Sequence, residues 1–153
     1  MVELNLKSAA FDNKERIPVR YTGEGQNTSP PLYWTDVPAG TSSFVVFCHD
    51  PDAPLVSGGG YGFVHWVVYN IPFDVRGFRE GEEPFTSGKN DGGSLGYIGP
   101  YPPEFHGIHN YYFIVLALDS VIDEDVGLNL REILERVEGH VVGMARLIGT
   151  YER

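Results

Sequence analysis

The chain has 153 residues, long enough for one sizeable core, and sets 21 acidic side chains against 11 basic ones for a formal charge of -10. That balance, with no run of more than two basic residues, speaks against nucleic acid and against stable association with anionic membranes, since both need Lys/Arg patches. Cys48 is the only cysteine, so no intrachain disulfide forms. No apolar run approaches the ~18 residues of a membrane span, and the start lacks a signal-peptide pattern, so a cytoplasmic protein is expected.

Nineteen Gly, eleven Pro, nine Tyr and nine Phe favour a β-rich fold over a helical bundle. In chain order, residues 16–40 read as short extended pieces punctuated by Gly and Pro. "SFVVFCH" (43–49) is apolar on both alternating faces, which predicts a strand covered on both sides. "DPDAP" ends it, because proline cannot join a ladder. After the loop "LVSGGGYG", "FVHWVVYNI" (63–71) is the next strand, stopped by Pro72. Residues 76–96 turn polar and read as a mobile surface loop. A strand over 110–118 follows the rigid segment "GPYPPEFHGIH".

One helix is predicted, near 130–138. Leu130, Ile133, Leu134 and Val137 recur on one helical face, Asn129 with Glu132 forms a capping box, and Gly139 is a natural stop. "HVVGMARLIGTYER" closes the chain as a last strand. No linker or repeat divides residues 1–153, so one domain is expected.

Several residues could carry chemistry. In "HDPDAP" the prolines hold Asp50 and Asp52 at a strand end; a turn in which Asp caps the backbone is the plainer reading of a lone DPD. Cys48 and His49 are neighbours on a strand, so they face opposite ways and make no nucleophile pair. His65 reads first as a core or edge histidine. His109 and Tyr111 share a face at a strand entrance. His106, three residues before His109 with no helical register between them, makes "HGIH" a poor metal motif, and no metal is expected. "SGGGYG" lacks the GK[ST] of a phosphate loop, and no GxSxG elbow occurs. His49, His106 and His140 read as packing or surface residues.

"TSPPLYWTDVPAG", "SFVVFCHDPDAP", "HWVVYNIP", "GPYPPEFHGIHNYYFIVLALD" and "GHVVGMARLIGTYER" occur in this order, and together they resemble the phosphatidylethanolamine-binding protein family, which includes the Raf kinase inhibitor protein. The compact length is similar to its bacterial and archaeal branch. The resemblance implies a mostly β fold, antiparallel strands in two sheets with Greek-key links, and a small anion pocket at one end. It places Asp50, Asp52, Pro54, His65, Gly99, Pro102, Pro103, His109 and Tyr111 around that pocket, and it implies a cis peptide at Ala53–Pro54. It further implies that loop N–H groups and imidazoles grip the anion while both aspartates hold the imidazoles. Relatives often carry arginine after the loop histidine; here that position is Asn110.

The leading expectation is a non-enzymatic protein, without a cofactor, that binds phosphate, a phosphorylated head group or a carboxylate. A second is an inhibitor of a serine protease or kinase acting through Tyr97, Tyr101, Phe105 and the 76–96 loop. A third is a metal-independent phosphoester hydrolase with Asp50 or Asp52 as base and His109 as acid. The resemblance also implies a homodimer.

Overall fold

The computed structural model describes residues 1–53, 62–83, 85–123 and 126–153. Within them the chain forms β1 (Val2–Glu3), β2 (Asn5–Lys7), β3 (Glu15–Arg16), a 3-10 turn at Val19–Tyr21, and β4 (Leu32–Thr35). Then come β5 (Ser43–Asp50), β6 (Phe63–Pro72), β7 (Gly77–Phe78), β8 (Thr86–Ser87), β9 (His109–Leu118), α1 (Leu130–Val137) and β10 (Val141–Tyr151).

The large sheet runs β1-β10-β9-β5-β6-β8, with β3 also on β10; the small sheet runs β2-β4-β7. Strands pair antiparallel except β1 and β3, which lie parallel to β10. The N-terminal stretch reaches that edge because β10 is small where the chain lies on it. A Cβ on Gly149 would stand 2.4 Å from Ile17 Cγ1, so a larger residue there would push the segment off.

The alternation of β5 explains both layers. Phe44, Val46 and Cys48 face the small sheet, where they meet Trp34, Trp66, Phe78 and Phe113. Val45 and Phe47 face the other way, onto Ile133 and Val137 of α1. The strand is therefore covered on both sides, as its composition requires. Asn129 caps α1 by accepting from the Glu132 N–H at 2.9 Å, while the Glu132 carboxylate accepts from the Asn129 N–H at 3.1 Å. Leu134, expected on the buried face, lies at its margin and is 43% exposed.

The 76–96 segment corrects the sequence reading. It carries β7 and β8 and buries Phe78 and Asn90. Asn90 replaces a ladder with its own side chain: Nδ2 donates to Gly96 O, and Oδ1 accepts from Gly92 and Ser94 N–H. Glu83 accepts from Trp66 Nε1 at 2.9 Å and from Tyr97 N–H at 2.8 Å. Polar composition here marks internal hydrogen bonding. Among the described residues no helix is long and apolar enough to cross a membrane.

Candidate functional site

β5 and β6 pair Cys48 with Trp66 and His49 with Val64, so His65 is the extra residue of a β-bulge. A bulge re-aims a side chain that strict alternation would send elsewhere. Here His65 and its neighbour Trp66 are both buried, Trp66 in the core between the sheets and His65 on the wall of a cavity of about 510 Å³. The cavity lies at the β5–β6–β9 end of that core.

Seven of the nine residues placed at the pocket line this cavity: Asp50, His65, Gly99, Pro102, Pro103, His109 and Tyr111. Pro54, and with it the Ala53–Pro54 bond, lies outside the described residues. Asp52 is not on the cavity wall and holds no imidazole. Its Oδ2 accepts from Asn110 N–H at 2.8 Å and Asn110 Nδ2 at 3.0 Å, clamping the start of β9. Asn110 is short enough to make both bonds from one residue, which is what its presence in place of arginine does here.

Asp50 and His109 are buried at 2% and 1% exposure. His109 Nδ1–H donates to Asp50 Oδ2 at 2.7 Å, and Asp50 Oδ1 accepts from the Asp52 N–H at 2.8 Å. Burial first, and the Asp50 charge next, push the Tyr111 phenol well above its usual range and keep it protonated. Cys48 is likewise held as a thiol by burial and by the Asp50 charge.

The far nitrogen of His109 is occupied. His106 Nδ1 meets His109 Nε2 at 2.6 Å, with ring centroids 4.8 Å apart. The rings point head to head, the geometry of one shared proton rather than of two ligands converging on a metal. Among the described residues no three His, Cys, Asp or Glu are grouped to hold a metal ion. Asp50, His109 and His106 thus form a line from the core to the exposed loop, and His106, read from sequence as a packing or surface residue, is its outer end.

His65 is fixed differently. Its Nδ1–H donates to the Ile98 carbonyl at 2.7 Å, and its ring packs against Phe63 and Tyr111 at 4.7 and 5.2 Å. Burial, the larger effect, pushes its pKa below the usual histidine value against the pull of the Ile98 carbonyl and the Asp50 charge. The unfolded chain binds this proton from about pH 6.5 downward and the folded one only lower. Stability from a neutral His65 is therefore complete above about pH 6.5 and erodes as pH falls toward the lowered folded value. Urea unfolding should show the wild type losing its advantage over His65→Asn, which keeps the Ile98 bond, between about pH 7.5 and 5. Parallel pH profiles for the two proteins would refute the assignment.

The proline loop does not offer a ring of N–H donors. Pro100, Pro102 and Pro103 have none, and the Gly99 N–H is spent on Asn27 Oδ1 at 2.7 Å. Gly99 is needed for close approach: a Cβ there would stand 2.3 Å from Tyr21 O and 2.5 Å from Asn27 Oδ1. Asn27, in the left-handed region at φ 59°, lines the cavity and was not foreseen. Tyr101 forms wall rather than lid, under the Arg153 guanidinium at 3.8 Å, and Arg153 Nε donates to Pro102 O at 2.7 Å. Phe105 points to solvent at 95% exposure and covers nothing.

A sequence profile described as phosphatidylethanolamine-binding protein matches residues 7–152. The UPF0098 protein of Methanothermobacter thermautotrophicus is 46% identical over 98% of this chain and 99% of its own. A solved homologue from Chlamydia trachomatis superposes with a TM-score of 0.92 at 36% identity, over 100% and 99% of the two chains. Escherichia coli YbcL, described as a member of the mammalian family, gives 0.89 at 31% identity over 99% of each chain. A chain matched across nearly its full length by the family profile, by relatives and by folds at these identities belongs to the phosphatidylethanolamine-binding protein family.

Proposed function

We propose that the protein is a non-enzymatic binder of a small molecule that carries a phosphoryl or carboxyl group. The observation that carries this reading is the mixed lining of the cavity. Asp50, His65, His109, Tyr111 and Asn27 supply its polar groups; Phe63, Ile98, Tyr101, Pro102 and Pro103 supply apolar surface. The Cys48 thiol and the Tyr111 phenol are disarmed as nucleophiles, since burial and then the Asp50 charge hold both protonated. A ligand oxygen reaches His109 Nε2 by taking the place of His106.

Amide titration by NMR with phosphate and then phosphoethanolamine tests it. Shifts should gather at Gly99, His109 and Tyr111 in the wild type and vanish in His109→Ala. Silence at those amides at millimolar ligand would end the reading.

A second reading, inhibition of a protease or kinase, is favoured by the loop beside the cavity. Tyr101, Phe105 and Ile108 are 57, 95 and 61% exposed, and Phe105 is presented by backbone at φ 61°. The Phe105 N–H bonds Arg153 O at 3.3 Å, and Arg153 bridges to Glu104 at 3.6 Å, so the display is braced. Tyr97 leaves the set of surface anchors because its hydroxyl is bonded to Tyr21 O at 2.5 Å. Inhibition lost in Phe105→Ala but kept in His109→Ala would favour this reading.

A further inference from the structure

We propose that His65 makes the cavity selective for a phosphoryl group that still carries a proton, as inorganic phosphate does at neutral pH, over phosphodiesters, sulfate and carboxylates. The inference rests on the oxyanion reading above and concerns which oxyanion is accepted.

The geometry starts from the Ile98 carbonyl, which can only accept. It fixes the His65 proton on Nδ1, 2.7 Å away, and leaves Nε2 of the neutral ring as a bare lone pair. The ring lines the cavity at 6% exposure, and its one hydrogen bond to a described residue is from Nδ1, which leaves Nε2 without a partner among them. Phe63 and Tyr111 flank it with ring faces and edges, so neither can satisfy that nitrogen. The charged and titratable groups that act on it are Asp50, Asp91 and His49; burial, with His49 on the same side, outweighs the two aspartates and keeps the ring neutral. A ligand oxygen without a hydrogen would set lone pair against lone pair at Nε2. A P–OH donates to it.

Asp50 is already engaged, its Oδ2 accepting from His109 Nδ1 and its Oδ1 from the Asp52 N–H, whereas His65 Nε2 accepts from no described residue. The unprotonated oxygens have the NH₂ of Asn27, whose Oδ1 is committed to Gly99. At neutral pH phosphodiesters, sulfates and carboxylates have no proton to give, so they fail at His65. In a family named for a lipid, this cavity selects against an intact lipid phosphodiester.

Calorimetric titration at about pH 8 tests this with hydrogen phosphate, sulfate and monofluorophosphate, all dianions, of which only the first has a hydroxyl. Phosphate should bind about 100-fold more tightly than the other two. In His65→Asn, which keeps the donor to Ile98 O and lacks Nε2, the preference should fall to within about threefold. Long-range proton–nitrogen spectra of the wild type should show His65 protonated at Nδ1 alone, and the Nε2 resonance should move on adding phosphate. If the variant does not fold, the wild-type ligand series and this spectrum decide the matter. Equal binding of the three dianions, or a proton on Nε2 in the free protein, would overturn the selectivity while leaving the oxyanion site standing. No binding of any oxyanion would overturn both.

Discussion

Asp50→Ala is expected to cost about 3–5 kcal/mol of unfolding free energy, and Asp50→Asn about half as much, read as shifts of the urea midpoint. The carboxylate is 2% exposed and serves two donors, so alanine strands the Asp52 N–H and His109 Nδ1–H together. Asparagine keeps the shape but offers one oxygen. Its NH₂ then faces His109, which can accept it only by moving its proton from Nδ1 to Nε2. His106 would have to change tautomer with it, because its Nδ1 lies 2.6 Å from that nitrogen. The nitrogen spectrum of Asp50→Asn should therefore report reversed tautomers at His109 and His106. A loss below about 1 kcal/mol in Asp50→Ala, or an unchanged His109 tautomer in Asp50→Asn, would mean that the buried line of hydrogen bonds is not the one described.

How much of this the residues announced differs from element to element. β5, β6, β9 and β10 were legible because each buries whole faces, and apolar alternation records that burial directly. The helix was legible through its capping box. β1, β2 and β3 were not, since two or three residues carry no period; their pairing is borrowed from β4 and from the edge of β10. In 76–96 the ordering agent is Asn90 and Glu83 binding the backbone around them, and a polar side chain folded inward spells the same as one facing water.

The site shows the same division. The family blocks placed seven residues around one cavity, and the motif order alone was enough for that. Asn27 was missed because its bond to Gly99 spans 72 residues. Its one local signal is a residue type that tolerates the left-handed region, set in a glycine-rich turn. His106 was missed because Phe105 takes a positive φ, a reversal that non-glycine residues rarely make and that spacing rules do not anticipate. The role given to Asp52 went astray because Asn110 captures that carboxylate before any imidazole can.

Trp34→Ala should be as damaging as any substitution in the core, about 3–5 kcal/mol, while Trp34→Phe should stay within about 1 kcal/mol of the wild type. Trp34 is fully buried and joins the sheets: its ring lies 5.4 Å from Phe44 of β5 and 5.5 Å from Phe78 of β7. Alanine removes those contacts and leaves a cavity that strands on both sides hold open. Phenylalanine loses volume too, but it also removes Nε1–H, a buried donor without a hydrogen-bond partner among the described residues. The two changes oppose each other. Trp66 supplies the control, because its Nε1 donates to Glu83 Oε1 at 2.9 Å. Trp66→Phe should therefore cost more than Trp34→Phe, by about 1–2 kcal/mol, since it breaks a bond that also steadies the Tyr97 N–H two residues before Gly99. Equal costs for the two phenylalanine variants would show that the Trp34 N–H is satisfied after all. The reverse order would place the weaker support at Glu83 and loosen the account of how the Gly99 wall is held.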